Sequence, residues 1–148
     1  MSMTAEIHQH ILGLLLSQPL AVLCTRGRRL HASLLAVAPT DDLRRIFFAT
    51  PRTTEKFANL TADPDAALLV HNATGSADDF NNAMAVTITG RAEEIGPERA
   101  AYFDGIYLAR HPALADFIAA ATTARMVFSV ETYRLVRQFQ QVTLYRIE

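Results

Sequence analysis

The side chains best suited to bind an anion are concentrated in one short segment, where a predicted strand runs into a predicted helix. The segment reads Thr50-Pro51-Arg52-Thr53-Thr54-Glu55-Lys56. A helix start offers unpaired backbone N–H groups and the positive end of the helix dipole. Arg52 adds a planar fork of donors, and Lys56, the only lysine in the chain, adds an ammonium group. Hydroxyl donors come from three threonines, Thr50, Thr53 and Thr54. The segment predicts a phosphate site, and the alternative is an ordinary capped helix with solvated charges.

The five histidines form no recognisable metal or catalytic motif. His8 and His10 are two residues apart on a predicted helix and therefore point to different faces. His71 ends an apolar strand and His111 joins two predicted helices, positions that are typical of structural residues. His31 lies at the start of a predicted strand. It is either a structural residue or a residue that approaches the anion-binding site. The sequence predicts no metal site and identifies no catalytic acid, base or nucleophile.

Composition narrows the class of protein. The 148 residues are 50% hydrophobic and 20% charged, which is typical of a folded globular domain. A net charge of -1 argues against a general nucleic-acid binder, because such proteins carry a basic stripe. Cys24 is the single cysteine, which excludes an intrachain disulfide, and its place in a predicted strand indicates a small buried side chain. The apolar run from Ile11 to Leu16 is too short to cross a membrane, so a soluble cytoplasmic protein is expected.

Seven stretches have the composition or alternation of strands. They are Leu20–Thr25, Leu30–Val37, Arg45–Thr50, Ala66–His71, Met84–Ile95, Met126–Phe139 and Val142–Ile147. Gly27 lies in a predicted hairpin turn between the first two. Gly90, inside the fifth strand, predicts a bulge or a close backbone approach.

Helices are predicted around these strands. They are an N-terminal helix within residues 1–18 (Ala5–Ser17, with Thr4 as N-cap), a short helix capped by Thr53 or Thr54, and a helical insertion at residues 97–120. The polar stretch Asn72–Asn82 predicts a loop long enough to be functional, and its length and position suggest the border of a substrate cleft.

The order of these elements predicts the fold class. Most strands follow one another without the crossover helices of a parallel sheet, and the chain has neither a GxGxxG nor a P-loop motif. We therefore expect one domain, residues 1–148, that is mainly β: an antiparallel barrel of six to seven strands with peripheral helices.

Two runs of sequence resemble the core of the pyridoxamine 5'-phosphate oxidase-like flavin-binding family. The first, LHASLLAVAPTDDLRRIFFATPRTTEKFANLTADPDAALLV at residues 30–70, follows that family's order of strand, turn, strand ending in Thr, R-x-[ST]-x-K-x-x-N-L and Asp-Pro. The positions in register are Thr50, Arg52, Thr54, Lys56, Asn59, Leu60, Asp63 and Pro64. The second, AVTITGRAEEI at residues 85–95, is similar to the following strand. The resemblance covers most of the chain from Leu20 to Ile95.

The resemblance implies the family's FMN-binding split β-barrel and a place for each part of the cofactor. It puts the FMN phosphate near Arg52, Thr54 and Lys56, with Thr50 beside the ribityl chain.

The same resemblance implies that the strand beginning at Ser33 lies along the flavin. Backbone groups of Leu35 and Ala36 would meet the edge of its ring. Because this family binds flavin in a groove between two subunits, a homodimer with FMN at the subunit interface is implied.

The chain departs from the oxidase at several positions. Glu55 stands where many members have Arg directly before the phosphate-binding Lys, and we expect it to face solvent. Ala85 stands where the oxidase tends to have Gln, and no Arg-x-His pair is present near the C-terminus. These differences argue against pyridoxamine-phosphate oxidase activity itself.

The expected function is therefore a flavin-dependent oxidoreductase that acts on a small electron donor or acceptor. One alternative is a non-catalytic flavin carrier or redox sensor. Another is haem binding, found in a branch of the same fold that typically has His at the position of Lys56.

Overall fold

The computed structural model describes residues 3–138 and 140–148. In this part of the chain eight strands form one antiparallel sheet: β1 (Leu20–Arg26), β2 (Leu30–Ala36), β3 (Ala38–Pro39), β4 (Arg45–Pro51), β5 (Asp65–His71), β6 (Ala85–Glu94), β7 (Thr123–Arg137) and β8 (Gln141–Arg146). The α-helices are α1 (Met3–Ser17), α2 (Glu55–Ala62), α3 (Asp79–Asn82), α4 (Ala100–Arg110) and α5 (Ala115–Ala119). Short 3-10 turns, Pro97–Arg99 and Pro112–Leu114, precede α4 and α5.

The predicted fold class is confirmed, although the strand count is eight rather than six to seven. All seven predicted strands are present, with ends that differ by three residues at most. The additional strand, β3, has two residues, too few to show an alternating pattern. Phe139, the predicted end of the longest strand, lies outside the described residues, and β7 ends at Arg137.

The helices agree with the prediction except at two points. Thr4 is not an N-cap, because α1 begins at Met3 and places Thr4 within its first turn. The predicted loop Asn72–Asn82 contains the short helix α3. The helical region predicted at residues 97–120 contains α4 and α5.

The sheet is closed on itself by one short connection. Its strand order is β2-β1-β5-β6-β7-β4-β3, with β8 paired to β7, so β2 and β3 lie at opposite ends of the order. Only Val37 separates these two strands along the chain. Because consecutive Cα atoms are about 3.8 Å apart, the two ends of the sheet must meet there. The sheet therefore curls into a split barrel, and we call residues 36–38 the seam.

Two clusters of buried side chains pack on opposite faces of β4. Phe48 points into the barrel core with Leu23, Ile88 and Tyr133, and α1 covers one end of that core. Phe47, the preceding residue, joins a second cluster with α4 and α5. Successive side chains of a strand point to opposite faces, so a strand buried on both sides requires consecutive apolar residues.

The predicted irregularity at Gly90 is confirmed. The register of β6 on β7 shifts between Thr89 and Gly90, which is a β-bulge. A Cβ at Gly90 would lie 2.1 Å from the backbone oxygen of Ser129. Glycine is needed there because the neighbouring backbone leaves no room for a side chain.

Candidate functional site

The anion-binding segment lies where β4 ends and α2 begins. Of the two predicted caps, Thr54 is the one used: its Oγ1 accepts the backbone N–H of Phe57 at 3.3 Å. The buried hydroxyl of Thr50 lies 2.7 Å from that of Thr54. Thr53 is exposed. Two of the three threonine hydroxyls therefore hold the turn between strand and helix, which fixes how α2 leaves the sheet.

Helix α2 is anchored to the β1–β2 hairpin by Asn59. Its side-chain amide donates to Thr25 Oγ1 at 3.0 Å, and both residues are buried. The approach is so close that a Cβ at Gly27 would lie 2.2 Å from Asn59 Oδ1. This contact holds the middle of α2 against the hairpin, so the direction of its first turn is set by the fold.

Lys56, in that first turn, is half-buried and has no ion-pair partner among residues 3–138 and 140–148. Glu55 faces solvent as expected, with its side chain 54% exposed. Its carboxylate lies 3.5 Å from Nδ1 of His31 on β2. The start of α2 and the start of β2 are therefore adjacent. The ammonium group of Lys56, one residue after Glu55, is left for solvent or a ligand.

Arg52 is engaged elsewhere. Its Nη2 donates to Glu94 Oε2 at 2.5 Å and its Nη1 donates to the carbonyl oxygen of Ala121 at 2.8 Å. Glu94 ends β6, and the side chains of Arg52 and Glu94 are 43% and 36% exposed. A phosphate could use the guanidinium of Arg52 only by taking the place of Glu94.

Ser33 contributes a polar atom without a partner. Its Oγ is shielded from solvent and forms no hydrogen bond with the chain. Ser33 pairs with Leu23 in the β1–β2 register and lies two residues beyond His31, on the same face of β2. A buried hydroxyl without a partner costs about 1–3 kcal/mol, so a ligand that reaches it gains from pairing with it.

The backbone of Leu35 and Ala36 lies at the end of β2 next to the seam. β2 pairs only with β1, so one of its edges has no strand partner within the described residues. The side chain of Leu35 is in the core, and the carbonyl oxygen of Ala36 accepts a hydrogen bond from the hydroxyl of Tyr107 at 3.1 Å.

Of the remaining residues singled out in the sequence, His71 and His111 have structural contacts, and the predicted burial of Cys24 is wrong. Cys24 is exposed, not buried, because the outward face of β1 is itself apolar and the strand presents Cys24 there. His71 Nδ1 accepts the backbone N–H of Ala73 at 3.0 Å. His111 is buried, and its Nε2 lies 2.7 Å from the carbonyl oxygen of Val37. No cluster of three metal-binding side chains occurs in residues 3–138 and 140–148.

The loop between β5 and β6 is organised by Asp79. Its carboxylate accepts the backbone N–H groups of Thr74, Gly75 and Ser76. These hydrogen bonds, led by that from Thr74, lower the pKa of Asp79. A cavity of about 450 Å³ lies beneath the loop, and the exposed ring of Phe80 lines it. The loop is thus ordered at the end of β5 opposite α2, away from Lys56.

The comparison of the whole sequence with protein families agrees with this geometry. A family model described as pyridoxamine 5'-phosphate oxidase matches residues 7–137. The chain belongs to the pyridoxamine 5'-phosphate oxidase family. No curated protein sequence matches the chain.

Solved structures with the fold of this family superpose on the chain at low sequence identity. A haem-binding protein from Mycobacterium smegmatis has a TM-score of 0.82 at 18% identity; the alignment covers 99% of this chain, which spans 59% of the length of that protein. A Clostridium acetobutylicum protein related to general stress protein 26, of the pyridoxinephosphate oxidase family, has a TM-score of 0.73 at 13% identity. That alignment covers 96% of this chain and 95% of the other protein. A FAD-binding protein from Mesorhizobium loti has a TM-score of 0.69 at 13% identity, and the alignment covers 86% of this chain and 91% of that protein. These similarities establish the fold.

Within this family member, sequence reasoning missed the contacts that reach the site from distant elements. Glu94 was not expected to hold Arg52, and neither Tyr107 nor His111 was expected to reach the end of β2. One signal was present. Tyr107 and His111 are four residues apart, a spacing at which the side chains of a helix and of its C-cap residue can lie next to each other.

No helix in residues 3–138 and 140–148 is long and apolar enough to cross a membrane.

Proposed function

We propose that the chain, as one unit of 148 residues, binds FMN and acts as a flavin-dependent oxidoreductase on a small molecule. The observation that carries this proposal is a pair of unsatisfied polar groups at adjoining elements. Ser33 Oγ is buried without a hydrogen bond, and Lys56 is half-buried without an ion pair in the described chain. A cofactor with a phosphate at one end and hydroxyls along its length would satisfy both groups.

Lys56 is the residue we assign to the phosphate, with those first-turn backbone N–H groups of α2 that Thr54 does not cap. Helix starts favour anions because their N–H groups are free and the helix dipole is positive there. Glu55 does not oppose this assignment, because its carboxylate points to solvent beside His31. Thr53 adds an exposed hydroxyl, whereas Thr50 and Thr54 support the site by holding the turn.

Arg52 has a conditional role in this proposal. Its guanidinium is already paired with Glu94 and with the carbonyl oxygen of Ala121. An incoming phosphate must compete with that carboxylate, so Arg52 contributes less to FMN affinity than Lys56 does.

The rest of the cofactor would lie along β2. Ser33 would orient the ribityl chain, which joins the phosphate of FMN to its ring. The backbone edge of β2 that has no strand partner would meet the ring near Leu35 and Ala36. When bound, FMN supplies the redox chemistry by accepting a hydride from a reduced donor and passing electrons to an acceptor. The protein residues bind and orient it, which agrees with the lack of an identifiable acid or base.

The partner we propose is a second copy of the chain. The outward face of the sheet carries exposed apolar side chains on three neighbouring strands: Leu20 is 47%, Leu34 65% and Leu69 37% exposed. Large apolar patches on a surface mark interaction sites. A homodimer through this face would place two β2 strands near the interface, where the family's flavin groove is expected. A cytoplasmic location, compatible with the free thiol of Cys24, is part of the proposal.

Haem is the second candidate, because the similar Mycobacterium smegmatis structure is described as haem-binding. His31 is the histidine placed nearest α2 by its contact with Glu55. Lys56 favours flavin, since an ammonium group pairs with a phosphate and does not ligate iron while it is protonated. A non-catalytic flavin carrier or sensor would use the same residues.

The experiment is an absorption spectrum of the purified protein before and after incubation with FMN and desalting. Lys56→Ala and Arg52→Ala are compared with Arg45→Ala, which removes an exposed charge at the opposite end of β4. We expect flavin bands that survive desalting in the wild type and in Arg45→Ala, that weaken in Arg52→Ala and that are lost in Lys56→Ala. A protein that retains no FMN contradicts the proposal, and a Soret band after haem addition that disappears in His31→Ala selects the second candidate.

Catalysis is tested on the FMN-loaded protein. Reduction of the bound flavin by NADH or NADPH, followed by reoxidation with turnover, distinguishes an oxidoreductase from a carrier. Flavin that stays oxidised with both donors leaves only the binding function.

A further inference from the structure

Three aromatic side chains form a column along one face of the helical region that begins with α4. Phe103 and Tyr107 stack with ring centroids 5.0 Å apart and an interplanar angle of 23°. Tyr107 and His111 follow with centroids 5.0 Å apart. All three are buried. The spacing of four residues keeps Phe103 and Tyr107 on one face of α4, and His111, the C-cap residue of α4, continues the column.

The polar tips of this column bind two consecutive backbone carbonyl groups. The Tyr107 hydroxyl donates to the carbonyl oxygen of Ala36 at 3.1 Å, and His111 Nε2 lies 2.7 Å from that of Val37. Because a carbonyl oxygen only accepts, Nε2 of His111 must carry the proton. The N–H of Val37 donates to the carbonyl oxygen of Pro19 at 3.1 Å. The peptide groups around Val37 are therefore held from several sides.

These carbonyl groups belong to the seam. Ala36 ends β2 and Val37 is the single residue before β3, so the backbone held by the column is the point where the two ends of the sheet meet. Burial raises the pKa of Tyr107 to about 12, which keeps its hydroxyl protonated and able to donate at neutral pH. The column thus fixes the backbone that follows directly after Leu35.

We infer that Tyr107 and His111 are positioning residues for the flavin, acting through the backbone of Leu35 and Ala36. The inference rests on the proposed function, in which that backbone meets the edge of the flavin ring. Hydrogen bonds at the ring edge tune the cofactor's electronics, so a shift of this backbone changes both affinity and redox potential. The helical region then does more than cover the second core cluster, because it sets the geometry of one wall of the cofactor site.

The test compares two buried tyrosines that each donate to a backbone carbonyl. Tyr107→Phe removes the hydrogen bond to Ala36. Tyr133→Phe removes a hydrogen bond of 2.7 Å to the carbonyl oxygen of Leu43, away from the seam. For each variant we would measure the urea unfolding midpoint, the Kd for FMN by fluorescence quenching, and the absorption maxima and midpoint potential of the flavin at saturation.

We expect both variants to unfold at lower urea than the wild type. Only Tyr107→Phe should raise the Kd for FMN and shift the potential of the bound flavin. The expected rise is about fivefold, the fold-change for one hydrogen bond between the displaced backbone and the flavin ring. His111→Gln keeps an amide donor for Val37 and should stay close to the wild type, whereas His111→Leu should behave like Tyr107→Phe. Rescue by glutamine separates a donor role from simple filling of space.

The outcomes are distinct. If the wild type binds FMN and the Tyr107→Phe and His111→Leu variants match it in Kd, spectrum and potential, the inference is wrong while the proposed function stands. If Tyr133→Phe changes the flavin as much as Tyr107→Phe does, the effect is general destabilisation and the inference is also wrong. A wild type that does not bind FMN overturns the proposed function and the inference together.

Discussion

The two sides of the barrel differ in how their polar side chains are used. Around α4, most polar side chains have partners within the fold: Tyr107 and His111 bind seam carbonyls, and Arg125 holds Asp104 through two hydrogen bonds of 2.8 and 3.0 Å. Arg110 Nε is buried without a hydrogen bond, but Nη2 of the same guanidinium donates to the end of α1. Around α2, Lys56 and Ser33 Oγ have no partner in the described chain. Most buried polar groups of a folded protein are hydrogen-bonded, so a group without a partner calls for an explanation. The α4 side uses its polar side chains mainly for contacts within the fold, and the α2 side is the one that we propose for a ligand.

The largest expected effect is on the α4 side, at Arg110. Its Nη2 donates to the carbonyl oxygens of Leu15 and Leu16, both at 2.7 Å, and so caps the end of α1. Burial lowers the pKa of Arg110, but the carbonyl groups favour its charge. We expect Arg110→Met to lower the free energy of unfolding by about 2 kcal/mol, because hydrogen bonds to a charged group are lost and the half-buried position reduces their value.

The matched control for this prediction is Arg99→Met, since Arg99 is exposed and directly precedes α4. Urea denaturation of both variants measures the difference. Equal stability of the two would show that the α4 contacts to α1 do not stabilise the fold, and the contrast between the two sides would fail.

How much of this contrast could be predicted from the sequence depends on the distance between the residues involved. The start of α2 was predicted with Thr53 or Thr54 as its cap, because strand, turn and cap follow one another within a few residues of Thr54. The pairing of Arg52 with Glu94 joins residues 42 positions apart, and only the β6–β7–β4 order brings them together. The free state of Lys56 is likewise a property of the assembled fold, since it depends on where every carboxylate lies.

Two further differences have local causes. Cys24 was predicted to be buried because apolar residues usually are, yet β1 is apolar on both faces and hydrophobicity cannot say which one is covered. β3 was missed because two residues carry no period, although it is this strand that closes the barrel at the seam. The contacts of Tyr107 and His111 with the seam depend on that closure, so they could not be predicted from the sequence either.

The next effect concerns alkaline pH and the buried hydroxyls. Burial raises the pKa of Tyr107 to about 12, and desolvation with nearby Asp42 and Tyr145 raises that of Tyr133 still further. In the unfolded chain the pKa of tyrosine is roughly 10, so above about pH 10 the unfolded chain loses protons that the folded chain keeps. The stabilising contribution of the two hydroxyls is therefore fully present below that pH and is lost as pH rises through their pKa values in the folded chain. Each tyrosine should cost about 1.4 kcal/mol per pH unit in this window.

Urea unfolding between pH 8 and 11.5 measures this slope. Tyr107→Phe and Tyr133→Phe should each be less stable at pH 8 and each have a shallower alkaline decline, and the double variant the shallowest. A decline unchanged in the double variant would mean that other groups titrate in this range. The buried hydroxyls of Tyr107 and Tyr133 would then not be the source of the alkaline loss of stability.

The smallest expected effect on stability is at Lys56, and it bears most directly on the contrast. Removing a half-buried charge that has no partner loses no ion pair, and surface substitutions of this kind usually change the free energy of unfolding by less than about 0.5 kcal/mol. We therefore expect Lys56→Met to unfold at the urea concentration of the wild type without FMN. With FMN present, the wild type should gain stability in proportion to the logarithm of ligand concentration, and Lys56→Met should gain much less. If Lys56→Met instead unfolds much more readily without ligand, the ammonium group has a structural partner in solution, and α2 differs from α4 in degree only.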